Sequence, residues 1–157
     1  MRIIGIDPGT AIVGYGVIDA ENGEYTLVAS GSIQTAKDLS DSARLLEIQK
    51  DLAEILDTYK PETASVEKLF FFKNQKTVIT VAQGRGVILA TLEQFGIKIF
   101  EYTPLQIKQM ITGCGNAKKD VVADMVKRQI KCDYFPKLDD TADAIAIAVC
   151  HARTGGI

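Results

Sequence analysis

Short apolar bursts dominate the first third of the chain, and apolar residues return at threes and fours in most of the remainder. Residues 2–7 form one such burst and end on Asp7-Pro8-Gly9-Thr10. Residues 12–19 and 24–33 read as two more strands, joined by a hairpin turn at Glu21-Asn22-Gly23. Three strands linked by tight turns make an antiparallel meander. Over 40–59, Leu45, Ile48, Leu52 and Ile55-Leu56 recur at helical spacing, and Pro61 stops that helix. Thr63 to Val66 is a short strand that delivers Glu67 at its end. A helix over 75–94 and a strand over 97–101 follow. Thr103-Pro104 opens another helix, with a capping hydroxyl ahead of a proline in the first turn, and the helix breaks at Gly113-Cys114-Gly115. Asn116 is placed to cap a helix over 117–130, and Asp139 or Asp140 opens the last, which reaches Arg153.

A meander followed by alternating helix and strand predicts an α/β fold, a five-stranded mixed sheet flanked by helices. No linker, repeat or low-complexity tract interrupts the 157 residues, so one domain spanning 1–157 is expected. The 46% hydrophobic and 24% charged content suits a globular chain with a proper core. No apolar run approaches the roughly 18 residues of a membrane span, and the N-terminal burst is too short for a secretory signal. A cytoplasmic protein is expected. Cys114, Cys132 and Cys150 are odd in number and far apart, and His151 is the only histidine. That pattern argues against a zinc site or a disulfide framework. A Ser-His-Asp or Cys-His mechanism would rest wholly on His151.

The net charge of −2 argues against a nucleic-acid partner, but its distribution is uneven. From Lys68 to Leu92 the charged residues are Lys68, Lys73, Lys76 and Arg85, all basic. From Lys98 to Lys131, seven basic residues stand against Glu101, Asp120 and Asp124. The acids concentrate between Asp38 and Glu67 and at Asp139, Asp140 and Asp143. Each basic stretch taken alone fits a solvated helix face as well as a nucleic-acid surface.

Four carboxylates hold the positions of interest. Asp7 and Glu67 each end a strand, while Asp140 and Asp143 stand three apart in the first turn of the final helix and so share a side. Each has an ordinary reading too. Asp7-Pro8-Gly9 is a turn sequence, Glu67 could be a solvated strand end, and the helical pair suits the helix dipole. Together they form a hard, oxygen-only ligand set, which suits Mg²⁺ or Mn²⁺ and not zinc. Two such ions can activate a water and stabilise a leaving oxygen in phosphodiester hydrolysis.

These blocks carry a resemblance. Gly5-Ile6-Asp7-Pro8-Gly9-Thr10 with Gly14-Tyr15-Gly16, Val66-Glu67-Lys68-Leu69-Phe70 with Lys73-Asn74, and Asp140-Thr141-Ala142-Asp143 before an Ala-Ile-Ala-Ile-Ala run resemble the RuvC family. Gln83-Gly84-Arg85-Gly86-Val87, and Lys108-Gln109 with Gly113 to Lys119, resemble the same family. These are bacterial crossover-junction endodeoxyribonucleases, or Holliday-junction resolvases, of the RNase H-like fold, and the order of elements agrees. The resemblance implies a homodimer that resolves four-way DNA junctions by paired symmetric nicks, leaving 5′-phosphate ends, with two Mg²⁺ per site and Mn²⁺ as a substitute. It maps the catalytic, metal-holding acids onto Asp7, Glu67, Asp140 and Asp143, with Asp139 as a neighbouring competitor for Asp140. It implies DNA contacts at Phe70, Lys108 and Lys119, and partnership with the RuvA–RuvB branch-migration complex.

Other features leave alternatives open. Phe70, Phe71 and Phe72 cannot all enter one core, so at least one is exposed or meets a second protomer; the resemblance implies that Phe70 stacks on an unpaired base, and the alternative is Phe70 as core. Gly113 and Gly115 either merely separate two helices or precede a helix N-terminus at Asn116-Ala117 that receives an anion. Ala82, Gly84, Gly86 and Ala90 suit either close packing on the sheet or a dimer helix. Rival functions are a YqgF-type nuclease of structured RNA, an actin-like sugar kinase or ATPase, and a non-catalytic junction-binding module. The kinase reading needs a second domain of the same kind.

Overall fold

Along the first strand, β1 (Arg2–Asp7), side chains alternate between two faces, as the pleat requires. Ile4 and Ile6 enter one hydrophobic core and Ile3 enters another on the opposite face. The computed structural model describes residues 1–9, 11–68, 75–137 and 139–155, the side chains of Gln75 and Lys76 excepted. Around β1 it assembles β2 (Ile12–Glu21), β3 (Glu24–Gln34), β4 (Thr63–Glu67), β5 (Lys98–Tyr102) and β6 (Ile130–Lys131). The helices are α1 (Asp41–Tyr59), α2 (Gln75–Gln94), α3 (Pro104–Thr112), α4 (Lys119–Gln129) and α5 (Asp139–Arg153). The strand order is β5-β4-β1-β2-β3-β6, antiparallel through the β1–β2–β3 meander and parallel elsewhere.

Local chemistry sets the boundaries. Asn22 (φ 52°) and Gly23 (φ 79°) make the two-residue left-handed turn that a tight hairpin needs. The Ser40 side chain caps α1 by accepting from the Ala43 N–H, and the helix closes on Lys60, whose N–H donates to the Leu56 carbonyl just before Pro61. Thr103 and Gln106 form a reciprocal capping box at the start of α3.

Two expectations need correction. Among the described residues the sheet has six strands, not five, because Ile130 and Lys131 leave the helix and pair with Tyr25 and Thr26 of β3. A two-residue strand is too short to show a period, and an apolar Ile130 satisfies helix and strand patterns equally. The fourth helix starts at Lys119 with Lys118 as its N-cap, so Asn116 does not cap it.

α1 and α2 cover one face of the sheet through Ile48, Leu52, Leu56, Ile88 and Leu92. α3, α4 and α5 cover the other, and α5 buries nearly every residue from Thr141 to His151. That depth requires a bare sheet beneath the helix. A methyl group at Gly5 would run into the Ala144 carbonyl, one at Gly14 into the Asp140 carbonyl, and one at Gly16 into Ile145. The Ser65 hydroxyl donates to the Ile147 carbonyl at 2.9 Å and ties β4 to the same helix. No helix among the described residues is long and apolar enough to cross a membrane.

The packing predicts that Gly5→Ala destabilises the protein by about 1–3 kcal/mol, the usual cost of forcing extra volume into a filled core. Urea denaturation measures it, and an unchanged midpoint would contradict this view of how α5 docks.

Candidate active site

The site begins with alternation. Gly5 and Asp7 of β1, and Ser65 and Glu67 of β4, occupy positions that face α5. β1 and β4 are parallel neighbours, with Ile6 beside Val66, so Asp7 and Glu67 end adjacent strands on one face. Gly14 pairs with Asp7 across the hairpin and lets the backbone of Asp140 settle against the sheet. The first turn of α5 therefore arrives where the two strands end. Asp7, Glu67 and Asp143 line a cavity of about 280 Å³ together with Lys108 of α3 and Lys119 of α4. Ile107, Val122 and Ile147 supply apolar wall.

Crowding of acids in a partly dry pocket shifts their protonation. Burial pushes the Asp7 carboxyl up to about 8, and the charges of Glu67, Asp143 and Asp140 add to the effect. Burial also pushes Glu67 up, and Asp143 adds to this. Its hydrogen bond with Asp7 and the ammonium groups of Lys119 and Lys108 pull it back. Lys119 Nζ donates to Asp143 Oδ2 at 3.0 Å, and that bond holds the Lys119 ammonium above its ordinary range.

Of the residues singled out by sequence, Asp7, Glu67, Asp143, Lys108 and Lys119 share this cavity. Asp140 does not line it, although its charge is felt at Asp7. Asp139 lies on an adjoining hollow with Lys119, Asp120 and Asp143. Phe70, with Phe71, Phe72, Lys73 and Asn74, lies outside the described residues. Among those described, no three acidic, histidine or cysteine side chains form a ready metal cage. Asp7 bonds to Glu67, and Asp143 is engaged by Lys119.

His151 is fully buried at the other end of α5, with the Tyr102 hydroxyl 2.8 Å from Nδ1 and the Phe100 ring against it. Burial pushes its pKa down, and burial pushes the adjacent Cys150 thiol up to about 12. A hydrolytic mechanism built on histidine or cysteine finds no exposed, activated pair among the described residues. In the sequence, Arg85 stands out only as part of a basic stretch and a motif. In the structure it stands behind the site, its Nε donating to the Glu67 carbonyl at 3.3 Å. A single basic residue between two helical glycines is the only sequence signal of that placement.

Residues 3–151 match the family model described as crossover junction endodeoxyribonuclease RuvC. A protein of that name from Caldicellulosiruptor saccharolyticus is 47% identical over 152 residues, covering 96% of this chain and 92% of its own. Another from Fusobacterium nucleatum is 50% identical over 156 residues, covering 99% of this chain and 82% of its own. The structure of Thermus thermophilus RuvC in complex with Holliday junction substrate aligns with a TM-score of 0.92 at 30% identity, over 99% of this chain and 94% of that one. By sequence and by fold, this chain belongs to the RuvC family of crossover junction endodeoxyribonucleases, divalent-metal-dependent nucleases of the RNase H-like fold.

Proposed function

We propose that this chain is a single-domain, homodimeric Holliday-junction resolvase that cuts DNA with two Mg²⁺ per site, held by Asp7, Glu67, Asp140 and Asp143. One observation carries the reading: acids from β1, β4 and α5 meet in a cavity rimmed by two lysines. The donor chemistry fits the ion. The cavity's acidic side chains offer carboxylate oxygens only, and Asp7, pushed up first by burial and then by the charges of Glu67, Asp143 and Asp140, stands where a cation would offset the acids.

When bound, the ions would supply an activated water and charge stabilisation at the leaving oxygen. The chain's own residues do the rest. Asp7, whose carboxyl feels the charges of Glu67, Asp143 and Asp140, would hold metal together with them. Asp140 completes the set from one turn before Asp143. Lys108 and Lys119 meet the phosphate oxygens, Lys119 exchanging Asp143 for its new partner. Ile107, Val122 and Ile147 limit the water in the pocket. Phe70 stacks on an unpaired base at the junction.

A two-fold junction calls for a two-fold enzyme. The α2 surface supports that assembly, because Ile79 is exposed and a methyl at Gly86 would meet nothing within 4 Å. Within this chain neither Gly84 nor Gly86 is required by tight packing, since a methyl at Gly84 would make only ordinary contact with Ile48. Family membership is the support for a proposed partnership with the RuvA–RuvB branch-migration complex.

Incubation with a synthetic mobile four-way junction, with and without Mg²⁺, tests the reading. Expected are metal-dependent symmetric nicks on two strands of like polarity, with 5′-phosphate ends. Equal cutting of duplex DNA, or preference for structured RNA, would favour the rival nuclease. Asp7→Asn should keep junction binding while lowering the cleavage rate at least about 1,000-fold, the order seen when an essential member of a catalytic set is removed. A variant that still cuts would refute the role given to Asp7.

The raised pKa of Asp7 also sets a pH dependence. The folded, metal-free protein keeps this proton up to about pH 8, whereas the unfolded chain releases it near the ordinary value of 3.8. Folding takes up a proton between those limits, so stability falls as pH rises through them. Buried His151 acts in the opposite sense, but only below its unfolded pKa of 6.5. From about pH 6.5 to about 8.5, metal-free protein should therefore lose thermal stability, and Asp7→Asn should lose less. Stabilisation by Mg²⁺ should grow over the same interval. A Mg²⁺-induced melting shift independent of pH would contradict this.

A further inference from the structure

We propose that Arg85 is a positioning residue, which fixes the backbone of Glu67 from behind the sheet and thereby aims its carboxylate. This rests on the reading of Glu67 as a metal ligand.

The need arises from the end of a strand. Glu67 is the last residue of β4, and on the β5 side the ladder holds, with the Lys68 N–H donating to the Tyr102 carbonyl at 2.8 Å. On the β1 side the pairing ends at Ile6 and Val66. Continuing that parallel register would offer the Glu67 carbonyl to position 8, and Pro8 has no N–H to give. A backbone acceptor beside a buried site needs another donor. Arg85 supplies it through Nε, at 3.3 Å.

The same guanidinium is itself held. Its other arm pairs with the Glu101 carboxylate of β5, and only 16% of the Arg85 side chain is exposed. One planar group thus links α2, β4 and β5, a task suited to a rigid fork of donors and not to a flexible ammonium. Glu101 alternates with Tyr102, which enters the core under α5, so the link is made on the opposite face of the sheet. Arg85 does not line the cavity, and its influence on the acids passes through the main chain of Glu67.

The test is Mn²⁺ binding to the DNA-free protein, followed by calorimetry and by the electron paramagnetic resonance signal of free Mn²⁺. Thermal melting of each variant is recorded alongside. Arg85→Gln should weaken Mn²⁺ binding about 10-fold or more, the scale on which residues supporting a metal ligand act. Arg85→Lys should recover part of the loss, because an ammonium can bond one partner but cannot span both. In a Glu67→Gln background, Arg85→Gln should change the affinity no further. Wild-type affinity in both Arg85 variants would overturn the proposal, and so would a full loss that persists without the Glu67 carboxylate. If Arg85→Gln does not fold, Arg85→Lys alone and combined with Glu67→Gln decides the same question. Asp7→Asn separates the two readings. If wild type binds Mn²⁺, Asp7→Asn does not and the Arg85 variants match wild type, only the role of Arg85 falls. If wild type does not bind Mn²⁺, the metal site falls and takes this proposal with it.

Discussion

The backbone of α5 lies directly on the sheet, and the site exists because it does. Gly5, Gly14 and Gly16 remove the side chains that would hold a helix away, and Ala144 and Ala148 keep the helix side shallow as well. With ordinary residues at the three glycine positions, side-chain volume would separate the layers. Asp140 and Asp143 would then stand off from Asp7 and Glu67. Packing and chemistry are thus one constraint here: small residues that weaken a strand in isolation deliver the carboxylates to each other.

The same closeness explains the electrostatics. Four acids whose charges reach one another, partly out of water, are unfavourable unless protons, lysines or metal ions compensate. In the metal-free protein the compensation comes from a raised Asp7 pKa, the Asp7–Glu67 hydrogen bond and the Lys119–Asp143 ion pair. The overall charge of −2 is a poor guide to a DNA partner for a related reason. Part of the acid content lies in the pocket proposed to hold cations, and the lysines that would meet phosphate sit at the rim of that same acidic pocket.

Much of this is visible in the residue pattern. The meander, the strand-ending positions of Asp7 and Glu67 and the helical opening at Asp139 or Asp140 follow from period, turn chemistry and capping, all local effects. The glycines of β1 and β2 are visible as a motif, but their purpose is not, since it depends on what lies above them. β6 escapes the pattern because two residues carry no period. The start of α4 escapes it because Asn116 is a better cap by type than Lys118, which takes the position without a side-chain bond. The support Arg85 gives to Glu67 is hidden because its partners, Glu67 and Glu101, come together only through the crossover of β4, α2 and β5.

The proposed chemistry stands or falls on acids from β1, β4 and α5 capturing divalent ions in one pocket. Anomalous diffraction from crystals soaked in Mn²⁺ tests this directly. The expected result is two peaks, about 3.5–4 Å apart, among Asp7, Glu67, Asp140 and Asp143. A map with no peak there, or with Mn²⁺ bound only elsewhere on the molecule, would contradict it.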